Sequence, residues 1–247
     1  MRTSAAVGLL AALLPLTSLA EPVSFGGVSV DIGAQASGAD VSSPLQVLAL
    51  LTVLSLAPAI LIVLSSFTRI IIVLSMLRHA FGMPSTPPNT VLVSLALFLT
   101  IFTMMPVIEP MNKEAYAPLV AGEIGMKEAV DRALVPLRAF MISQTREKDM
   151  ALVTELSGKE QPDTAADIDI TTLIPAFMLS ELQTAFQIGF IIFLPFLLID
   201  LMAASVLMAV GMIMVPPMTI SLPIKVLMFV LIDGWAIVAK ALVGSFH

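Results

Sequence analysis

Cysteine is absent from the chain, which excludes disulfides, thiolate metal sites and cysteine nucleophiles. Histidine occurs only as His79 and His247, too few and too far apart in sequence for a metal site or a catalytic dyad. Charge is scarce as well: Asp, Glu, Lys and Arg make up 12% of the 247 residues, and 12 basic against 18 acidic side chains leave a net charge of −6. That sign argues against nucleic acid as a partner and against a polybasic surface for anionic lipid. What remains is apolar: 58% of the residues are hydrophobic, 16 are methionine, and the mean hydropathy is +1.01. A soluble core does not reach such values, and the chain reads as an all-α, polytopic membrane protein of long helical hairpins. No enzyme chemistry, metal or cofactor is expected of it.

The N-terminus follows the layout of a secretory signal peptide over 1–20. Arg2 precedes an apolar segment from Ala5 to Leu16, and the small residues Ser18 and Ala20 place cleavage between Ala20 and Glu21. The alternative, an uncleaved anchor, would be short for a span of about 20 residues. Residues 21–44, rich in Gly, Ser and Ala, read as a flexible periplasmic leader.

Residues 45–108 form the first apolar hairpin. Its first arm, Pro44 to Leu77, is interrupted by Pro58 and carries one charge, Arg69. A buried guanidinium requires a carboxylate or carbonyls, so Arg69 is expected to meet Glu181, Asp200 or a neighbouring subunit; the alternative is an arginine reaching lipid headgroups. Arg78 to Pro88 is a short turn, placed on the cytoplasmic side by its arginine, with Asn89 as the cap of a helix from Thr90 to Ile108. Residues 109–174 are hydrophilic and acidic, with twelve acidic and seven basic side chains between Glu109 and Asp169. Helical patterning runs from Met126 to Leu156 with a bend at Pro136, Gly158 to Asp169 is a loop, and the whole is expected outside the cytoplasm.

Residues 175–247 form the second apolar hairpin. Between Ala185 and Pro217 the only formal charge is Asp200. As continuous helix this run would be about 45 Å long and would need a tilt of about 50° to fit a hydrocarbon core of about 30 Å. Tilts reach about 40°, so part of it must lie outside the hydrocarbon or against other protein. Pro216 and Pro217 lack N–H donors, which ends the helix near Met214 or Val215 and leaves its last carbonyls free. Met212 and Met214 project from that broken end, and methionine suits irregular or moving surfaces; ordinary core packing is the alternative. Lys225 could serve the free carbonyls. Asp200 and Lys240 stand equidistant from a turn at Ile220, so an antiparallel hairpin could pair them.

Five motifs in this order resemble a known family: Pro175–Phe190, Pro195–Leu201, Gly211-Met-Ile-Met-Val-Pro-Pro217, Leu222-Pro-Ile-Lys225 and Leu231-Ile-Asp-Gly-Trp235. From about residue 44 to the end the chain is similar to the FliP family of type III export-gate proteins. The resemblance implies a subunit of a helical, pore-forming assembly at the flagellar basal body in the bacterial inner membrane, raised toward the periplasm. It implies a pentamer of this chain wound with FliQ and FliR, next to FlhA and FlhB, in membrane lipid, through which unfolded flagellar subunits pass. It also implies that Met212, Ile213 and Met214 form a pore gate, a methionine gasket, with Gly211, Pro216 and Pro217 shaping the loop backbone. Ile213 stands where many relatives carry a third methionine. Arg69, Glu181, Asp200, Lys225 and Asp233 are then buried charges that hold the assembly.

Other classes stay open at this stage. The equivalent subunit of a virulence injectisome would share the mechanism and differ in cargo. Broken helices also suit a small-solute transporter, although no internal repeat is evident. Two embedded carboxylates, Asp200 and Asp233, would suit an intramembrane aspartyl protease if they shared a proton. The leader generates one direct test. N-terminal sequencing of the membrane-purified protein should return Glu21 as the first residue, and intact Met1 or Arg2 as the main species would overturn the topology built on cleavage.

Overall fold

The longest apolar run sets the architecture. In the computed structural model, which describes residues 23–25, 28–30, 48, 51–52, 54–56, 59–60, 62–158 and 168–246, that run belongs to one 40-residue helix. The signal peptide with its Ala20–Glu21 junction, most of the leader and most of the loop after Gly158 lie outside the described residues.

The chain divides into two units, residues 1–57 and 58–247. In the first, the leader carries a short antiparallel pair, β1 (Val23–Phe25) and β2 (Val28–Val30), with Val23 opposite Val30. Helical conformation follows at residues 48, 51–52 and 54–56. Every other element described is helical, as the apolar composition demands.

The second unit holds α1 (Phe67–Ala80), α2 (Asn89–Met111), a π-helical turn (Asn112–Tyr116), α3 (Ala117–Val120), α4 (Met126–Gln144), α5 (Glu147–Leu156), α6 (Ile170–Ala209), α7 (Met218–Leu231) and α8 (Gly234–Gly244). The overlong first arm is not one helix: it breaks over Leu64–Ser66 before α1 begins. Ser65 explains the break, since its hydroxyl donates to the Ile62 carbonyl at 3.1 Å and accepts from the Phe67 amide at 3.3 Å, competing with the helical ladder. Asn89 is not a cap either. Pro88 occupies that position, and the Asn89 Oδ1 accepts instead from Arg78 across the turn.

Among the described residues, two segments are long and apolar enough to cross a membrane, Asn89–Val120 and Ile170–Ala209, and the pair α7–α8, bent by 67°, is a third if it counts as one broken span. At about 1.5 Å per residue α6 alone is about 60 Å long, twice the hydrocarbon thickness. Even at a tilt of about 40° it exceeds one crossing, so part of it must lie outside the hydrocarbon or against other protein.

α1 and α6 form the central contact. Ile70, Val73, Leu74 and Leu77 of α1 are buried, as are Leu173, Phe177, Ala185 and Gly189 of α6. Gly189 permits this approach, because a Cβ there would overlap the Met76 side chain. Buried hydroxyls of Ser66 and Thr103 hydrogen-bond where α1 starts beside α2. At the other end Phe81 meets Phe196 of α6 at 5.0 Å and Phe229 of α7 at 4.8 Å between ring centroids, both edge-on, and Phe229 meets Trp235 at 5.4 Å.

Gly234 sits against that cluster, and a Cβ there would overlap the Phe229 ring. A ring packed on three others has little room to yield, so Gly234→Ala is expected to lower stability by about 1–3 kcal/mol. Thermal unfolding of the purified protein in detergent checks this; an unchanged midpoint would show that the cluster is loosely packed.

Candidate functional site

Two charged clusters anchor α6, and a bare loop lies beyond the second. The first is centred on Arg69, which is 2% exposed. Its Nε donates to Glu181 Oε2 at 2.9 Å and its Nη2 to Glu181 Oε1. The Nη2 also donates to Gln144 Oε1 at 3.1 Å, and the Nη1 donates to the Ser245 carbonyl at 2.7 Å and the Ser245 Oγ at 3.1 Å. A guanidinium carries five N–H donors, and these five bonds use all of them. The Phe246 ring lies 3.8 Å from the guanidinium carbon, a cation–π contact. One side chain thus ties α1, α4, α6 and the C-terminal turn together with no donor left over, which is the condition under which a buried charge is tolerated.

A smaller polar group extends this cluster along α5. Asp149 accepts from Ser180 Oγ at 2.6 Å and from Arg146 Nε at 2.8 Å. Burial works against its negative charge, but the Ser180 hydroxyl, Arg146 and Lys148 outweigh it and hold the carboxyl below its ordinary range. The stability this gives is present above the unfolded value and is lost as pH falls through the lowered one.

The second cluster lies 19 residues further along α6, about 28 Å at helical rise. Asp200 Oδ2 accepts from Lys225 Nζ at 2.6 Å, and Oδ1 accepts from Ser221 Oγ at 2.6 Å. The Lys225 side chain is 4% exposed and that of Asp200 40%. Lys225 Nζ also donates to the Ala80 carbonyl at 2.9 Å, closing the C-terminal turn of α1 with a cation. Two readings of the sequence are corrected here: Asp200 pairs with Lys225 rather than Lys240, and Lys225 serves the end of α1 rather than carbonyls near Met214. The charge-free stretch between the clusters, Leu182 to Ile199, is as long as the hydrocarbon is thick.

The loop itself begins earlier than Pro216 and Pro217 imply. α6 ends at Ala209 because Gly211 takes a left-handed conformation, φ +80°, which a residue without Cβ adopts freely. The Gly211 amide then bonds the Met208 carbonyl at 3.1 Å and the Met212 amide the Leu207 carbonyl at 2.9 Å. This is a Schellman closure, so these two carbonyls are satisfied and the helix end needs no cation. Beyond it Met212 is 45% exposed, Ile213 85% and Met214 97%. Pro216 and Pro217 close the loop by starting α7: the carbonyls of Pro216 and Pro217 accept the amides of Thr219 at 3.1 Å and Ser221 at 3.0 Å.

Asp233 stands apart from both clusters, at the break between α7 and α8 with φ +52°. Asp200 bonds to Lys225 and Ser221, and Asp233 is not among its partners, so the two carboxylates do not form the shared-proton pair of a protease dyad. Among the described residues no group of His, Asp and Glu is placed to hold a metal ion. Sequence reasoning missed Ser221, Gln144, Ser245 and Phe246. Ser221 was within reach, since it lies four residues before Lys225 on one face of α7; the other three meet Arg69 from elements more than 70 residues away.

The FliP family profile matches residues 50–242. The chain is 50% identical to the flagellar biosynthetic protein FliP of Bacillus subtilis, over 88% of this chain and 98% of that one. It is 53% identical to the protein of the same name from Pectobacterium carotovorum, over 82% of this chain and 78% of the other. With the Caulobacter vibrioides protein it shares 45% identity over its whole length and 92% of the relative.

The pairing of Arg69 generates a prediction. Arg69→Met leaves Glu181 buried without its partner and should cost about 3–5 kcal/mol, whereas Arg69→Met with Glu181→Leu should cost much less than the sum of the single changes. Unfolding in detergent across the four-member cycle measures this; additive effects would mean that the two side chains act independently.

Proposed function

This chain belongs to the FliP family and is a flagellar export-gate component, and we propose that several copies of it line the pore through which unfolded flagellar subunits cross the inner membrane. The observation that supports this most is the contrast between stem and loop. α6 and α7 are pinned by Asp200, Ser221 and Lys225 to the end of α1, while beyond the pin Met212 is half-exposed and Ile213 and Met214 stand almost bare. In this reading the copies form a pentamer with FliQ and FliR, near FlhA and FlhB, projecting toward the periplasm. The three loop side chains of each copy meet on the axis as the gate.

An idle pore must hold back water and ions yet widen for a polypeptide. Apolar side chains do the first by dewetting, and flexible unbranched ones do the second by yielding. Ile213, branched and the stiffer of the three, keeps the ring apolar at the position between the two methionines. Gly211 and the Pro216–Pro217 pair are the hinges, so the gate moves as a loop on a fixed stem. The relatives carry the flagellar name, which supports flagellar subunits rather than injectisome substrates as the cargo in this reading.

Conductance of the purified complex in planar bilayers is the direct test. Met212→Ala with Met214→Ala should raise ion leak while the yield of complex stays unchanged, and both changed to Phe should slow export. If the double Ala complex, recovered in equal amount, leaks no more than wild type, the gate assignment fails.

A further inference from the structure

The exit of the bare loop meets the turn between α1 and α2. Met218 opens α7 directly after Pro217, and its methyl stands over Gly82, so that a Cβ added to Gly82 would come within 3.0 Å of it. Gly82 lies in the left-handed region, φ +80°, where α1 gives way to the turn. Seven residues further along α7, on the same face because seven residues complete almost two helical turns, Lys225 Nζ reaches the Ala80 carbonyl at 2.9 Å. The first two turns of α7 thus lie along residues 80–82.

That turn is braced from several sides. The Gly82 amide bonds the His79 carbonyl at 2.9 Å and the Thr86 amide the Met83 carbonyl at 3.3 Å. Arg78 spans the turn, its Nη1 donating to Asn89 Oδ1 and, at 3.4 Å, to the Pro87 carbonyl. Phe81 holds the start of the turn against Phe196 and Phe229. The two ends of the loop differ accordingly. At its start nothing lies within 4 Å of where a Cβ on Gly211 would stand, whereas its end is one residue from a side chain that rests on the braced turn. Proline holds φ at about −65°, so at Pro216 and Pro217 the direction in which Val215 and Met214 leave depends closely on where Met218 is held.

We propose that the α1–α2 turn is the seat of the gate and that Met218 is a positioning residue for it: the methyl on Gly82 sets where the loop joins α7, and with it how closely Ile213 and Met214 approach the pore axis. Lys225 holds α7 as a body, and Met218 aims its first turn. Met218 is 52% exposed, so shortening it removes little buried surface, and a role confined to packing would leave little trace. A displacement of the turn, whose residues Pro84, Ser85 and Thr86 are exposed, then moves the gate with no contact to the loop itself. This rests on the reading of Met212, Ile213 and Met214 as the gate.

Ion leak of the purified complex in planar bilayers tests the seat, with the yield of complex and the unfolding midpoint measured alongside. Met218→Ala should raise the leak several-fold at unchanged yield and midpoint. Met218→Leu, which keeps an apolar side chain over Gly82, should leak far less than Met218→Ala; an equal leak contradicts the contact. Gly82→Asn, whose side chain tolerates the left-handed backbone but crowds the methyl, should leak as Met218→Ala does. Because both changes break one contact, the double variant should leak no more than the leakier single one, and leaks that multiply would mean two separate routes and overturn the seat. A Met218→Ala complex recovered in equal amount that leaks no more than wild type also overturns it; if Met212→Ala with Met214→Ala leaks in the same measurement, the gate reading stands, and if neither leaks, both fail. A loss of yield or midpoint in Met218→Ala that accompanies its leak would make Met218 a packing residue and overturn the positioning role.

Discussion

The buried guanidinium of Arg69 is the constraint on which the rest of the unit depends. An apolar chain gains little from packing helix on helix inside lipid, because lipid tails are as apolar as the side chains. Directional polar contacts must then decide which helices meet and in what register. Arg69 does so by spending each of its donors on a different oxygen: both oxygens of Glu181, one of Gln144 and two of Ser245. Any slip of α1 against α6 by one turn would strand several of these groups in an apolar interior. The close approach at Gly189 and the buried row on α1 follow from that register rather than set it.

Asp200 and Lys225 repeat the device at the far end of α6 with a different result. There the pair and the Ser221 hydroxyl fix α7 to α6, and the Ala80 carbonyl fixes both to the turn after α1. The aromatic group of Phe81, Phe196 and Phe229 fills the space beside them. The end of α6 is thereby tied to α1 and α7 through Asp200 and the ring cluster, and the loop after it is held by its own turn. A gate needs this division of labour: a stem stiff enough to keep the pore together, and a short loop whose movement breaks no polar contact.

Much of this was legible in the sequence, and what was not has physical causes. The class followed from composition, and the rule that a buried charge needs an opposite one narrowed Arg69 to Glu181, Asp200 or a neighbouring subunit without choosing among them. The Gly-Met-Ile-Met-Val-Pro-Pro stretch marked the loop. Where the helix ends did not follow, since two prolines argue for a stop near Met214 or Val215 while a single glycine in left-handed conformation imposes one at Ala209. Register was also beyond reach. The symmetry of Asp200 and Lys240 about Ile220 looked like a pair, but the hairpin turns at the loop before α7, which brings Lys225 to Asp200 instead. Partners from distant elements, such as Ser245 and Phe246, leave no periodic signal at all.

A fixed stem carrying a free loop is the central claim, and amide hydrogen exchange of the assembled, idle complex reads it residue by residue. If the clamps work as described, fast exchange is confined to the amides of residues 213–215, and the amides on α6 around Asp200 and on α7 around Lys225 stay protected. Exchange that runs from the loop down both helices past Asp200 and Lys225, with Arg69 and Glu181 still protected, would show that the hairpin moves as a whole and would contradict the account.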